Sequence, residues 1–89
     1  MYRYRITLES LTDAEPAPNN VQFEADCHDD ILKIINRVPG RFGLAEDESK
    51  AMVVGLKLLG EIVLKHRDKE PFSQLKPALR EFIQSMKQQ

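Results

Sequence analysis

The chain has 89 residues, 42% of them hydrophobic, and its 13 basic and 14 acidic side chains leave a net charge of −1. This length supports one hydrophobic core, so residues 1–89 are predicted to form a single domain. The near-neutral charge argues against partners bound mainly by electrostatic attraction, such as bulk nucleic acid or an anionic membrane.

The cellular location is predicted from three further features. Cys27 is the only cysteine, and a small domain without a disulfide is typical of a reducing compartment. Residues 1–11 lack the apolar block of a secretory signal. Lys57 interrupts the most apolar stretch before it reaches the roughly 20 residues that a membrane-spanning helix needs. The sequence therefore predicts a cytoplasmic protein that does not enter a membrane.

Two strands are predicted at the start of the chain. Apolar residues at even positions from Tyr2 to Leu8 alternate with polar ones, which is the period of a strand. The stretch Leu11 to Asn20 is rich in residues that favour turns and reads as a loop. Val21 to Ala25 alternates again, so the two strands are predicted to form an antiparallel hairpin. Its outer face would pair Arg3 and Arg5 with Glu24. Its inner face would carry Tyr4, Ile6, Leu8, Val21 and Phe23.

The first helix is predicted from about Cys27 to Val38, where apolar residues recur at helical spacing. Asp26 is a suitable N-cap, and Asp29 and Asp30 would then lie in the first turn, where negative charge meets the positive end of the helix dipole. Pro39 and Gly40 are predicted to end this helix.

A long central helix is predicted from Lys50 to Arg67, with Glu46 to Glu48 just before its start. Its apolar arc covers roughly two thirds of the circumference, more than the single stripe of a surface helix. Glu61 falls on the narrow polar side. Gly55 and Gly60 flank the arc, where a missing side chain would let another backbone come close. This helix should be enclosed by protein on at least two sides.

A third helix follows a short connection, with an apolar face running from Phe72 to Met86. Pro77 is tolerated only near a helix start, so either Ser73 caps a frayed first turn or the helix begins near Lys76. The predicted fold is α+β: an antiparallel β-hairpin packed on three helices, in the order β-β-α-α-α, with a long wrapped central helix.

Several short motifs in this order resemble a family of small bacterial proteins that is classed as a domain of unknown function. They are His28-Asp29-Asp30 before a helix, Val54-Gly55-Leu56-Lys57-Leu58-Leu59-Gly60-Glu61 in the central helix, Pro71-Phe72, and Leu75-Lys76-Pro77. The resemblance covers nearly the whole chain and implies a bacterial, cytoplasmic, single-domain α+β protein. It brings no activity, substrate or site residue with it.

The densest group of possible ligands or acid–base residues is Cys27, His28, Asp29 and Asp30. Consecutive helical residues point about 100° apart, so they cannot all converge on one metal ion, and the His pair of helical zinc sites is missing. His66 could join His28 only if two helices align. A capped helix start explains these residues better than a metal-dependent enzyme. We therefore predict no cofactor, metal or catalytic residue.

Cys27 could also be a nucleophile, because a helix N-terminus lowers the pKa of a thiol. It shares an apolar face with Ile31 and Ile34, however, and the aspartates beside it oppose that effect. A small buried hydrophobic side chain is the favoured interpretation. The sequence carries no glycine-rich phosphate loop and no serine-nucleophile motif, so it offers little support for an enzyme.

An alternative is an accessory protein that binds nucleic acid through the last helix. Lys76, Arg80 and Lys87 lie along one helical face, and basic side chains on such a face can contact phosphates. The chain as a whole is not basic, and Glu81 lies nearby, so a solvated helix face explains the pattern better.

The favoured function is a noncatalytic interaction or assembly module whose partner is an unidentified protein or a second copy. A two-stranded ribbon leaves unpaired edges, and two hairpins could join edge to edge into a four-stranded sheet. Tyr2 and Tyr4 would suit the rim of such an interface. The apolar loop residues Phe42 and Leu44 are a second candidate contact.

Overall fold

The computed structural model describes residues 1–12, 20–38 and 40–88. The predicted α+β fold with two antiparallel strands and three α-helices is confirmed. Its elements are β1 (Tyr2–Glu9), β2 (Asn20–Cys27), α1 (Ile31–Arg37), a 3₁₀ turn (Arg41–Gly43), α2 (Glu46–Lys65) and α3 (Phe72–Lys87). The predicted loop falls mainly on residues 13–19, and the predicted end of the first helix on Pro39, which both lie outside the described residues.

The two strands pair in antiparallel register from Tyr2 opposite Cys27 to Glu9 opposite Asn20. Asn20 therefore belongs to a strand and not to the predicted loop. Since opposite residues share a face, the register puts the predicted inner-face residues on one side of the hairpin. The predicted ion pairs on the other side are also present: Glu24 lies 2.7 Å from Arg3 and 3.6 Å from Arg5.

The first helix begins later than the sequence pattern suggested. The strand ladder continues through Cys27, which keeps Asp26 in β2 opposite Arg3. Asp30 is the N-cap instead, and its carboxylate accepts a hydrogen bond from the backbone N–H of Lys33 at 3.2 Å. The prediction of a start at Cys27 was wrong because the strand pairing outcompetes the first turns of the helix.

The central helix also begins earlier and ends earlier than predicted. Glu46 to Glu48 form its first turn, where their charge complements the helix dipole, and the carboxylate of Glu48 accepts from the N–H of Ala45 at 3.0 Å. The helix ends at Lys65. Within the described part of the chain, no helix is both long and apolar enough to cross a membrane.

Helix α2 packs against α1, against β2 and against α3. Val53 and Val63 are buried. The flank that carries Leu59 and Ile62 is left open, so the helix has three neighbours but is not enclosed around the whole predicted apolar arc.

The expected close approach of another backbone at Gly55 and Gly60 is wrong. A Cβ placed on either glycine would meet no described heavy atom within 4 Å, apart from its own helix backbone. Neither position therefore needs glycine for space.

Helix α3 begins at Phe72, four residues before the later of the two predicted starts, and it contains Pro77 at its sixth position. No side chain caps its N-terminus, so Ser73 is not the cap.

The core lies where the Tyr2–Cys27 end of the hairpin meets α1 and the first half of α2. Its buried members are Cys27, Ile31, Val38 and Val53. Partly buried side chains pack around this cluster, among them Tyr4 from β1 and Phe42 from the 3₁₀ turn. The core thus covers only one end of the hairpin.

Candidate functional site

The uncovered end of the hairpin presents a continuous apolar face. Ile6 lies opposite Phe23, and Leu8 lies opposite Val21, so the four side chains point to the same side. Leu8 is 62% exposed, Val21 52% and Phe23 42%. Among the described residues, helices bury the other end of the hairpin, where Cys27 is 1% exposed.

The open flank of α2 continues this apolar face. Phe23 and Ile62 line the same cleft between β2 and α2. Leu59 and Ile62 are each 44% exposed. We call this region the hairpin–α2 surface, and it consists of Leu8, Val21, Phe23, Leu59 and Ile62. Apolar side chains gathered in this way on a small protein are typical of a contact with another macromolecule.

The two tyrosines predicted at an interface rim have different surroundings. The hydroxyl of Tyr4 accepts a hydrogen bond from the backbone N–H of Ile31 at 2.8 Å, so this half-buried side chain fixes the start of α1 to β1. Tyr2 lies at the covered end of the hairpin and is largely exposed. Tyr4 therefore has a structural role, and the side chain of Tyr2 is the less constrained of the two.

The outer face of the hairpin is polar and ion-paired. The guanidinium of Arg3 contacts Glu24 at 2.7 Å and Asp26 at 2.8 Å. Hydrogen bonds that Arg3 donates to Glu24 and then to Asp26, together with the negative charges of these carboxylates, raise the pKa of Arg3 above its ordinary value. This face is solvated, and its ion pairs contribute little to stability.

A buried carboxylate joins the end of β2 to the central helix. Oε1 of Glu61 accepts from the backbone N–H of His28 at 2.8 Å and lies 2.6 Å from its ring Nδ1. Glu61 is only 7% exposed. Its second oxygen, Oε2, has no hydrogen-bond partner among the described residues. The prediction from sequence that Glu61 lies on the solvent-exposed polar side of α2 was wrong.

The pKa of Glu61 is lowered by this arrangement. Burial alone would raise it, but the hydrogen bonds with the ring and backbone of His28, and electrostatic attraction to His28 and Lys65, more than offset burial. One usable signal for this role is its spacing, since Glu61 follows Val54 and Leu58 by seven and three residues and so lies beside apolar helix positions.

The remaining groups near His28 are already engaged. Lys57 Nζ lies 2.8 Å from Oδ2 of Asp29, and Cys27 is 1% exposed inside the core. His66 is the residue at the C-terminal cap of α2, with its ring centre 5.6 Å from that of Phe72. In the described ranges, no three His, Cys, Asp or Glu side chains are placed to hold a metal ion.

The other predicted contact residues lie at the opposite end of the core. Phe42 and Leu44 are half-buried, and Phe42 packs against the core cluster. On α3, Lys76 is half-buried whereas Arg80 and Lys87 are exposed. Nucleic-acid binding by these three cations stays a prediction.

Two comparisons place the chain among known proteins. The model of a protein family described as a domain of unknown function with a solved structure, DUF3861, matches residues 2–88. A crystal structure of a protein of unknown function from Pectobacterium atrosepticum SCRI1043 shares 30% sequence identity. The match covers 99% of this chain and 98% of that one, with a TM-score of 0.86. No curated protein matches the chain.

Proposed function

This chain belongs to DUF3861, the kind of unknown-function family that its motifs indicated, and we propose that it is a noncatalytic assembly module that forms a homodimer through the β1 edge. The observation that carries the proposal is an open strand edge beside an uncovered apolar face. Within the described residues β1 pairs with β2 alone. Such an edge offers unpaired backbone donors and acceptors to another strand.

The exposed area of the chain is large enough for an interface with a second copy. The chain exposes 7019 Å², whereas a compact monomer of this length exposes about 5300 Å². The excess of about 1700 Å² is ample for a standard interface, which hides about 800 Å² on each partner.

The side chains of β1 favour one register for two antiparallel copies. If Ile6 faces Ile6 of the second copy, Tyr4 faces Leu8 and Arg3 faces Glu9, so apolar and oppositely charged residues meet. Centring the pair on Arg5 would put two like charges opposite each other. A shift by a single residue would turn the apolar face of one copy away from that of the other.

This register also covers the exposed end of each hairpin. Antiparallel pairing places the uncovered Leu8 of one copy beside Tyr4 of the other, the residue against which α1 begins. In this register both helical layers lie on the same side of the four-stranded sheet, because facing residues share a face. The helices of each copy would then shield the apolar side chains at the far end of its partner.

A cysteine at the centre of this register tests the proposal. The Ile6→Cys variant should form a disulfide between two chains on mild oxidation, because facing residues on antiparallel strands have Cα atoms about 4.5 to 5.5 Å apart. The native thiol of Cys27 is buried and should not interfere. The matched control is Thr7→Cys, which faces Arg5 of the second copy. Equal crosslinking of the two variants would contradict the proposed register.

Sedimentation equilibrium tests the dimer itself. The wild-type chain should sediment as a dimer at high micromolar concentration, and Leu8→Lys should shift it to the monomer. Gln22→Lys, an exposed change on the polar face of β2, should leave the dimer intact. A wild-type chain that stays monomeric at these concentrations would refute self-association.

The proposal places this module in the bacterial cytoplasm. The bacterial source of the similar solved structure supports a bacterial origin. The unpaired thiol of Cys27 supports the cytoplasm, because free cysteines are commonest in reducing compartments.

A further inference from the structure

A cavity of about 240 Å³ lies between the end of β2 and the residues after it, α2 and α3. Apolar side chains from the two helices form much of its wall: Leu56, Leu64 and Ile83. No described residue of β1 lines it. An apolar cavity of about 150 Å³ can hold benzene, so this one has room for an aryl or alkyl group with a short polar end.

Gly60 leaves part of this wall open. It is half-buried, yet a Cβ built on it would meet no described heavy atom within 4 Å, apart from its chain neighbours and its own helix backbone. Glycine inside a helix is less stable than alanine, so this residue weakens α2 without making room for a described part of the chain. The space that it leaves belongs to the cavity.

The charged side chains that line the cavity are Asp29, Lys57 and Glu61. Lys57 Nζ lies 2.8 Å from Oδ2 of Asp29, so these two charges offset each other. Glu61 is only 7% exposed, and its Oε2 has no hydrogen-bond partner among the described residues. A buried carboxylate oxygen without a partner is costly, and a cation placed near it reduces that cost.

The contact between Glu61 and His28 fixes which ring nitrogen of His28 carries a proton. The lowered pKa of Glu61 keeps its carboxylate ionised at neutral pH. An ionised carboxylate can only accept, so Nδ1 of His28, 2.6 Å from Oε1, is the donor. In the neutral ring Nε2 is then an acceptor. His28, which also lines the cavity, thus adds a second acceptor to that of Glu61.

We propose that this cavity binds a small primary ammonium ion, with its alkyl or aryl group between α2 and α3 and its ammonium beside Glu61 and His28. Apolar walls stabilise the hydrocarbon part by removing it from water. The ammonium brings three donors and a charge opposite to that of Glu61. Apolar surroundings screen this attraction poorly, so it acts on the cation although Oε2 itself is covered. A metal ion fits less well, because no three His, Cys, Asp or Glu side chains in the described ranges are placed to hold one.

The probe is 2-phenylethylammonium, and its neutral counterpart is 2-phenylethanol. We expect the ammonium to bind at least about tenfold more tightly in isothermal titration at low salt. Amide chemical shifts of His28, Gly60 and Ile83 should move during the same titration. Equal affinity for the two probes would overturn the proposal, and so would shifts confined to Phe23 and Ala25 in the neighbouring cleft between β2 and α2. No binding of either probe at 10 mM, at about the weak limit for so small a ligand, would also overturn it.

Two glycine variants test the location of the site. Gly60→Leu should fill the cavity and weaken binding of both probes by at least about fivefold. The matched control is Gly55→Leu on the same helix, which does not line the cavity and should change neither affinity. Both variants should fold, since each adds a side chain where a Cβ has open space. Equal affinities of the two variants for the ammonium would overturn the proposal.

Removal of the buried charge tests the role of Glu61. Glu61→Gln should weaken binding of the ammonium about threefold to tenfold and leave binding of the alcohol unchanged. The matched control is Glu81→Gln on exposed α3, which should change neither affinity. An equal loss in the two variants would show that the carboxylate is not specific to this site.

A lysine variant gives a change in the opposite direction. Lys57→Gln removes the partner of Asp29, so the cavity becomes more negative and should bind the ammonium about twofold to fivefold more tightly. The matched control is Lys50→Gln, on the same helix and away from the cavity, which should change nothing. Weaker binding of the ammonium by Lys57→Gln would contradict the proposed charge complementarity. Since none of these substitutions lies in β1, the dimer and the ligand site can fail independently.

Discussion

His28 and Glu61 are joined by two hydrogen bonds to a single carboxylate oxygen, 2.8 Å from the backbone N–H and 2.6 Å from ring Nδ1. The pair connects the residue after β2 to the C-terminal part of α2. It therefore fixes the hairpin to the central helix through a polar contact at the edge of the apolar core.

Replacing Glu61 with glutamine should destabilise the protein. The amide can still accept from the His28 N–H, but it loses the charge that strengthens both bonds, and its NH₂ group takes the place of an oxygen that has no partner. We expect a loss of about 1 to 3 kcal/mol in the free energy of unfolding. Urea denaturation followed by circular dichroism measures it. Glu81→Gln on exposed α3 is the control and should change stability by no more than about 0.5 kcal/mol.

The same carboxylate should make stability depend on pH in the acid range. The pKa of Glu61 in the folded protein lies below its ordinary value of 4.5. Its contribution is therefore complete above the unfolded pKa and is lost as the pH falls through the lower folded pKa. The stability difference between wild type and Glu61→Gln should shrink as the pH falls below about 4.5. If the stability difference between the two proteins stayed constant from pH 6 to pH 3, the lowered pKa of Glu61 would not contribute to stability.

Alanine should stabilise the helix at Gly55 and at Gly60. A Cβ has open space at both positions, and alanine is favoured over glycine inside a helix by about 0.5 to 1 kcal/mol. Thermal and urea unfolding should both report the gain. Gly40→Ala provides the contrast, because φ of 82° there makes a side chain costly by about 1 to 2 kcal/mol. Destabilisation by Gly55→Ala would point to a contact that the isolated chain does not make.

Two aspartates distinguish the observed start of α1 from the one expected from sequence. Asp30 caps the helix through the N–H of Lys33, so Asp30→Ala should cost about 1 kcal/mol. Asp26→Ala removes only an exposed contact with Arg3 and should cost much less. The urea midpoints of the two variants distinguish these two helix starts. A larger loss of stability in Asp26→Ala than in Asp30→Ala would indicate that the helix begins at Cys27.

Removal of a single hydroxyl tests the contact between β1 and α1. Tyr4→Phe leaves the N–H of Ile31 without its acceptor at 2.8 Å, which should cost about 1 to 2 kcal/mol. Tyr2→Phe is the control on the same strand and should be neutral. Hydrogen exchange of the Ile31 amide should accelerate in the first variant alone.

The order of elements could be predicted because period-two and helical spacing are local properties of the sequence. The start of α1 could not, since Asp26, Asp29 and Asp30 are all good caps and the choice depends on how far β1 pairs with β2. The boundaries of α2 shifted for a similar reason, as Glu46 to Glu48 suit both a position before the helix and its first turn.

Most of the candidate sites depend on distances that no local pattern contains. Glu61 and His28 are 33 positions apart in sequence, so their contact requires the packing of β2 against α2. The cavity beside Glu61 draws on residues 27–29, α2 and α3. By contrast, the two faces of the hairpin followed directly from alternation, and so did the pairing of Arg3 and Arg5 with Glu24.

Cys27 offers a direct measure of how the hairpin separates from the helices. Its sulfur sits at the end of β2 in the sealed part of the core, 1% exposed, so a thiol reagent can reach it only when that junction opens. The alkylation rate should be measured at increasing urea concentration. A rate that rises steeply with urea indicates complete unfolding, and a rate that rises little indicates a small local opening. The protein thus carries its own chemical probe of the contact on which the whole arrangement of hairpin and helices rests.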